Sequence, residues 1–116
     1  MSVRILLKST PSNDEDCVLK FEGQLFGDKR EDGIVSRATL ILNFRIGDRP
    51  VALIEDVWTR EDYRGRGYAT AVVKALLEEA KSYDAYKAVL CCADHNIDFY
   101  KKLGFNVHQN AMRIDL

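Results

Sequence analysis

The sequence predicts one domain over residues 1–116, of mixed α/β (α+β) class, with a mixed, mostly antiparallel sheet and flanking helices. Three observations indicate this class. Short apolar runs bounded by glycine, proline or acidic residues are typical of strands. The segment Tyr68–Ser82 has the apolar spacing of an amphipathic helix. Apolar runs on both sides of this helix require a right-handed parallel crossover, which makes the sheet mixed.

Composition narrows the classes of function. The chain has 116 residues, enough for one core, and 17 basic against 18 acidic residues. A formal charge of −1 gives no overall field that favours nucleic acid or an anionic membrane. No run approaches the length of a membrane span, and no signal-peptide pattern follows Met1–Ser9. The three cysteines fit neither a disulfide framework nor a metal site, so we expect a reducing cytoplasm and no metal.

The first half of the chain reads as strands and loops. We expect a strand at Val3–Lys8, a loop at residues 9–16 and an exposed loop at residues 27–33. Cys17–Phe26 fits one helical face loosely, although Phe21–Leu25 has the shape of a short strand. A short helix or irregular turn is the expectation there. Arg37–Ile46 is predicted to be a strand, followed by a turn at residues 47–50.

The second half contains the crossover. Val51–Trp58 is predicted to be an antiparallel strand, and the helix Tyr68–Ser82 follows it. The apolar stripe of that helix comprises Ala69, Val72, Val73, Leu76 and Ala80. An apolar run predicts a buried strand at Ala88–Cys92, and Asn96–Leu103 a short helix closed by Gly104. Residues 105–108 and 112–116 are expected to complete the sheet as a final hairpin or to form an extended arm.

The loop Arg64-Gly65-Arg66-Gly67 stands directly before the long helix. The first N–H groups of a helix lack partners within it, and the helix dipole places partial positive charge there. Glycines let backbone amides close on a bulky anion, and two arginines add formal charge. The loop therefore suits a phosphate or pyrophosphate. The alternative is a flexible turn with solvated arginines. Its spacing is neither that of a Walker loop nor that of the dinucleotide-binding GxGxxG motif.

Glu55 and Asp56 form an acidic pair inside an apolar strand. Partial desolvation there would raise the pKa of a carboxylate and suit it to accept a proton from an ammonium group. Neighbouring side chains of a regular strand face opposite sides, so only one of the two is expected in a site. Glu55 is the candidate base or amine-orienting group. A salt bridge at the end of a strand is the alternative for both.

Two motifs resemble the GNAT superfamily of N-acetyltransferases. Arg64, Gly67 and Ala69 match its Arg-x-x-Gly-x-Ala pyrophosphate loop, and the segment 96–105 is similar to its Asn-x-x-x-Tyr-x-Lys-x-Gly-Phe element. Within the superfamily, residues 54–57, 86–87 and 99–102 are most similar to eukaryotic-type glucosamine 6-phosphate N-acetyltransferases. The resemblance covers residues 38–112. It implies a GNAT fold. Family members place two helices between their first two strands, and this chain is too short there to hold both, so its N-terminal half is expected to be shortened.

The resemblance also implies chemistry. Acetyl-CoA would be the co-substrate, and a small-molecule primary amine would accept the acetyl group directly, without an acyl-enzyme. Tyr100 would protonate or hydrogen-bond the departing sulfur, while a half-buried packing aromatic is the alternative for this residue. The relatives resembled are dimers that share the site, so a homodimer is expected. Acetyl-CoA contacts are implied for Val57, Trp58, Thr59, Arg64, Gly65, Arg66, Gly67, Tyr68, Ala69, Thr70, Asn96 and Lys102.

Two positions depart from the glucosamine 6-phosphate pattern. Cys91 stands where an acidic residue is expected, and Asp115 stands where a basic phosphate-binding residue is expected. Glu55, Asp56 and Cys91 are the candidates for contact with the acceptor. The acceptor is therefore glucosamine 6-phosphate, another small amine or a peptide amine. A CoA-binding module without catalytic activity is the alternative from a different class.

Overall fold

A computed structural model describes residues 2–9, 17–45 and 47–116; most of the predicted loop at residues 9–16 lies outside this part of the chain. Its regular elements are β1 (Arg4–Ser9), β2 (Cys17–Phe26), β3 (Ile34–Phe44), β4 (Val51–Thr59), α1 (Tyr68–Ser82), β5 (Lys87–Val89) and α2 (Ile97–Lys102). Short 3₁₀ turns lie at Arg30–Asp32, Glu61–Tyr63 and Asp94–Asn96. None of the helices in these ranges combines the length and apolar character needed to cross a membrane.

The five strands form one sheet whose spatial order, β1-β2-β3-β4-β5, is also their order in the chain. The first four strands are antiparallel neighbours, and β5 runs parallel to β4 after the α1 crossover. The predicted mixed, mostly antiparallel sheet is confirmed. This sheet brings β4, α1 and β5 together near one of its edges, where the candidate functional site lies.

Helix α1 packs on β2, β3 and β4 and closes the core. Val72, Val73, Leu76 and Ala80 are buried, as their spacing predicts, while Ala69 is only half-buried and Tyr68 takes its place. Gly23 of β2 lies under this helix. A Cβ at that position would lie 3.1 Å from Leu76 Cγ and 3.1 Å from Val72 Cγ1, so glycine allows the helix to approach the sheet closely.

The prediction of a short helix or turn at Cys17–Phe26 is wrong. The segment is a ten-residue strand that pairs with β3 along its whole length. Phe21 and Leu25 are buried on the face that Gly23 presents to α1, as the period of two of a strand requires. Glycine between two apolar residues concealed this alternation, because Gly23 contributes to the buried face without adding an apolar side chain.

The C-terminal third also differs from the expectation. Strand β5 ends at Val89, and Cys91 and Cys92 are exposed, so the predicted buried strand Ala88–Cys92 is wrong. Within the described part of the chain β5 pairs with β4 alone, and it is therefore a half-exposed edge strand. Residues 105–116 form neither helix nor strand, so the predicted final hairpin is absent from the described chain and the segment is an arm.

Candidate functional site

Strand β4 contains a bulge at Asp56. Thr39 of β3 pairs with Glu55, and Arg37 pairs with Trp58, so Asp56 and Val57 together oppose one residue of β3. Asp56 has φ 53°, in the left-handed region that few residues other than glycine adopt. Backbone strain of this kind is concentrated at functional sites.

Strands β4 and β5 separate just before this bulge. They pair at Val51–Lys87, Ala52–Ala88 and Leu53–Val89, and β4 then continues alone to Thr59. Among the described residues, no backbone hydrogen bond joins 54–59 to 90–96. The backbone of β4 is therefore open along this edge to an extended ligand, in the manner of a strand addition.

The end of β4 is fixed from the other side by β3. The buried Ser36 hydroxyl donates a hydrogen bond to the Trp58 carbonyl at 3.1 Å and lies 2.8 Å from Thr59 Oγ1. The Arg60 amide donates to the Val35 carbonyl at 2.7 Å. These bonds hold β4 on β3 where it has left β5.

The glycine loop between β4 and α1 is open, and it leads into a helix without a side-chain cap. Gly65 and Gly67 have φ 77° and 80°, and a Cβ at either position would meet nothing within 4 Å. Gly67 is the N-cap of α1, no side chain of the described residues caps the helix, and its first turn carries no acidic residue. The amides of the first turn therefore face open space with partial positive charge. Loop and helix fit a phosphate or pyrophosphate group.

Tyr63 ties this loop to the connection between β2 and β3. Its hydroxyl donates a 2.6 Å hydrogen bond to Asp32, whose same oxygen accepts the Lys29 amide at 2.9 Å. The hydrogen bond from Tyr63 is the main cause that lowers the pKa of Asp32, and the same bond raises the pKa of Tyr63. The Tyr63 ring stacks on Tyr68, the first residue of α1, at 5.4 Å between centroids.

Two arginines lie over the same ring. The guanidinium carbons of Arg60 and Arg66 each lie 4.9 Å from the Tyr63 centroid. Arg60 also donates to Asp62 and to the Asp32 carbonyl, at 2.7 and 3.1 Å. Arg64 donates from Nε to the Thr59 carbonyl at 3.1 Å. The loop conformation is therefore held from outside the loop.

A wide groove lies between β4, β5, α2 and the arm. Its volume is about 1820 Å³, larger than a typical small-molecule pocket, and residues 105–111 of the arm form part of its lining. The groove brings together four of the predicted site residues, namely Glu55, Asp56, Cys91 and Tyr100. The glycine loop, Asn96 and Lys102 do not line it.

Tyr100 is half-buried in the groove wall, with its ring against Phe99 and Phe105 at centroid distances of 4.9 and 5.8 Å. Burial, and secondarily Cys92, raises the pKa of its phenol. The phenol therefore remains protonated at neutral and mildly alkaline pH. Its hydroxyl makes no hydrogen bond to any described residue and is free to donate to a ligand.

Most of the chain matches the model of a known protein family. Residues 5–105 match the model of the acetyltransferase (GNAT) family. The chain belongs to the GNAT acetyltransferase family. GNAT enzymes use acetyl-CoA.

Three individual proteins are similar to this chain in sequence or in structure. A glucosamine 6-phosphate N-acetyltransferase of Trypanosoma brucei brucei is 40% identical over 85 residues, which are 72% of this chain and 58% of that protein. The crystal structure of a Trypanosoma brucei acetyltransferase has 34% identity and a TM-score of 0.73, covering 85% of this chain and 69% of that one. The Arabidopsis thaliana glucosamine-6-phosphate N-acetyltransferase has a TM-score of 0.77 at 22% identity, covering 83% and 66%, and shares the fold.

The acidic pair differs from the prediction in two respects. Glu55 and Asp56 are both exposed, so the expected partial desolvation is absent. Both also line the groove, although a regular strand would place them on opposite faces. The bulge is the reason, because the extra residue changes the alternation at Asp56.

Other predicted residues have defined places outside the groove. Asn96 is the N-cap of α2 but makes no side-chain capping bond, and Lys102 is exposed at the end of that helix. Val57 and Trp58 line a smaller pocket on the sheet, and Thr59 bonds Ser36 and Arg64. Thr70 is half-buried in the first turn of α1.

Sequence reasoning missed the residues that hold the loop and the bulge. Asp32, Ser36 and Tyr63 do so through partners 22 to 31 positions away in the chain, and no local pattern reports such partners. One indication for Tyr63 was present in the sequence. It is an aromatic residue in a stretch that is otherwise charged, and such a residue usually packs against apolar side chains from elsewhere in the fold.

Proposed function

We propose that the chain is an N-acetyltransferase that transfers the acetyl group of acetyl-CoA to a primary amine of a small molecule. The observation that carries this proposal is that strand β4 leaves β5 and opens its edge, with the free hydroxyl of Tyr100 in the groove beside β4 and the uncapped N-terminus of α1 following the end of the same strand. Together they suit a ligand with an extended amide arm, a pyrophosphate and a departing thiolate.

The roles follow from position. The amides of residues 64–69, with Thr70 beside them, would bind the pyrophosphate, and backbone groups of Val57 and Thr59 would hold the arm. Acetyl-CoA supplies an activated acetyl group. Tyr100 donates its proton to the leaving sulfur, since its raised pKa keeps the phenol protonated. Glu55, exposed in the groove, orients the amine or takes its proton through water.

Glucosamine 6-phosphate is the acceptor we propose. The support is the 40% identity with the trypanosomal enzyme of that name. This chain spans 58% of that relative's length, so the acceptor is inferred from the shared part alone. Cys91 is exposed in the groove wall, where it would lie beside the acceptor.

A homodimer is part of the proposal. The arm at residues 105–116 exposes apolar side chains, with Met112 96% and Ile114 81% exposed. The groove beside the arm is wide enough for a segment of a second copy. Exposed free thiols at Cys91 and Cys92 suit a reducing compartment, and we propose the cytoplasm.

The test is thiol release from acetyl-CoA across a panel of glucosamine 6-phosphate, polyamines, amino acids and short peptides. We expect release with glucosamine 6-phosphate. Tyr100→Phe should lower kcat about a hundredfold or more while the Kd for acetyl-CoA stays within about twofold, because a general acid acts in the transition state. The fall of kcat at high pH should lie above the ordinary tyrosine pKa of about 10 and disappear in the variant.

Other outcomes have definite meanings. Thiol release with a different amine would show that the chain is an acetyltransferase with another acceptor. Calorimetric binding of acetyl-CoA without thiol release in the presence of any amine would show that the chain is a CoA-binding module and not an enzyme. Tyr83→Phe is the matched control, since this exposed tyrosine does not line the groove.

A further inference from the structure

A second, smaller pocket lies on the sheet face opposite α1. It has a volume of about 350 Å³ and is lined by Glu22, Arg37, Thr39, Asp56, Val57 and Trp58; we call it the Arg37 pocket. Residues paired across neighbouring strands share a face, and Gly23 and Ala38 face α1. Their neighbours Glu22, Arg37 and Thr39 therefore face away from the helix. A pocket of this size holds a small ligand.

The Arg37 pocket adjoins the groove of Tyr100. Asp56 lines both cavities, because the bulge places this residue at their common border. Glu55 pairs with Thr39 and so lies on the same face of the sheet as the pocket. A small molecule whose reacting group lies in the groove can therefore extend past Asp56 into the pocket.

Arg37 is the cationic group of this pocket and is available for a ligand. Its guanidinium carbon lies 5.3 Å from the centroid of the Trp58 ring, a stacking contact that orients the group and leaves its N–H edges free. Among the described residues no carboxylate forms an ion pair with it. A planar guanidinium with free edges binds phosphate or carboxylate oxygens in pairs.

The carboxylates of the pocket are arranged differently. Glu22 is already paired with Lys8, with 3.2 Å between Oε2 and Nζ. Asp56 has no ion pair within the described chain and is exposed at the border with the groove. The free charges are thus one cation inside the pocket and one anion at its edge. A ligand that carries an ammonium and an anionic group on the same small frame complements this arrangement.

We propose that the Arg37 pocket binds the phosphate of a phosphorylated amine acceptor, with Arg37 as the residue that selects for the phosphate. Asp56 faces the ammonium end, and the exposed ring of Trp58 offers an apolar surface to the frame between the two charges. This inference rests on the proposed acetyltransferase function and assigns the place and the residue that bind the phosphate of its acceptor.

The test compares Arg37→Ala with wild type on two acceptors, glucosamine 6-phosphate and glucosamine, which differ only in the phosphate. Arg37→Ala should raise KM for glucosamine 6-phosphate about tenfold or more, since a charge-assisted hydrogen bond is lost. KM for glucosamine and for acetyl-CoA should stay within about twofold of wild type, and Arg37→Lys should recover part of the loss. Lys74→Ala, on the exposed face of α1, removes the same charge and should change none of these constants.

An equal effect of Arg37→Ala on both acceptors, or no effect on either, would overturn the inference. Calorimetry with glucose 6-phosphate and glucose tests the pocket without turnover, because neither sugar carries the amine. Binding of glucose 6-phosphate by wild type and its loss in Arg37→Ala would support the pocket even if no amine were acetylated. Equal binding of glucose 6-phosphate by wild type and variant would refute it.

Discussion

Asp56 shows how one residue sets the geometry of the site. Its left-handed conformation inserts an extra residue into β4, and this residue borders both the groove and the Arg37 pocket. For a residue with a Cβ, such a conformation costs on the order of 1–3 kcal/mol and persists only where its surroundings enforce it. Ser36 supplies part of that enforcement, because its bond to Trp58 holds the strand just after the bulge.

Substitutions at Asp56 should reveal the strain. We expect Asp56→Gly to have a free energy of unfolding about 1 kcal/mol higher than Asp56→Ala, because glycine adopts positive φ without the steric cost of a Cβ. Urea unfolding of both variants measures the difference. At Asp98, an exposed position in α2, the order should reverse, since alanine is the better helix residue. A higher stability of Asp56→Ala would show that the backbone there is not strained.

Some site residues could be predicted from sequence and others could not. Arg64, Gly67 and Tyr100 belong to spaced motifs, so their places were predictable. The bulge was not, because the alternation rule assumes a regular strand, and an aspartate at the position is only a weak indication of positive φ. The exposure of Glu55 also depends on its having no partner strand on the β5 side, which is a property of the sheet.

At the scale of elements, the connection between β2 and β3 supports the loop before α1. Asp32 accepts hydrogen bonds from the Lys29 amide and from Tyr63, and Tyr63 stacks on the first residue of the helix. Gly27 fits tightly against this contact, since a Cβ there would lie 2.8 Å from the Tyr63 hydroxyl oxygen. Two loops far apart in sequence thus share one hydrogen-bonded contact.

Tyr63→Phe should therefore weaken acetyl-CoA binding. Loss of the bond to Asp32 lets the loop sample other conformations, so we expect the Kd for acetyl-CoA to rise several-fold in calorimetry, with kcat at saturation nearly unchanged. KM for the amine should not change. Tyr83→Phe serves as the control, because this tyrosine lies at the opposite end of α1. Equal affinity in Tyr63→Phe and wild type would contradict the role of the contact.

The same contact gives a dependence on pH. The pKa of Asp32 is lowered in the folded state, chiefly by the Tyr63 hydrogen bond. Its contribution to stability is thus present above the unfolded carboxyl pKa and is lost as pH falls through the lowered folded value. Tyr63→Phe should reduce this acid-dependent loss in urea titrations below about pH 4.

Elements were predictable where local periodicity and packing agree. The α1 stripe matches its buried face from Val72 to Ala80, and β4 begins where its apolar run begins. For β2 the local periodicity and the packing disagree. Gly23 interrupts the apolar alternation of the sequence, and the side chains of Val72 and Leu76 pack against it from α1. The end of β5 was misjudged since Leu90 and Cys91 are apolar but have left the sheet.

At the scale of the molecule, the arm at residues 105–116 predicts self-association. Sedimentation should give twice the 13.2 kDa of one chain. Ile114→Asp should shift the equilibrium toward the monomer, because a charge would be buried in the contact. Leu7→Asp places the same charge on an exposed position of β1 and should leave the mass unchanged. A wild-type chain that sediments as a monomer at micromolar concentration would refute the dimer.

The strand order has a consequence for how the chain folds. Because β1 to β4 are neighbours both in the chain and in the sheet, their contacts span short sequence separations and can form early. β5 joins only after the crossover and is held at three residue pairs, and among the described residues α2 adds no side chain to the main buried core. We expect β5 and α2 to be the cooperative unit that opens at the lowest free energy. Tyr100 would then be carried by the least protected part of the fold, and bound acetyl-CoA would stabilise that part directly.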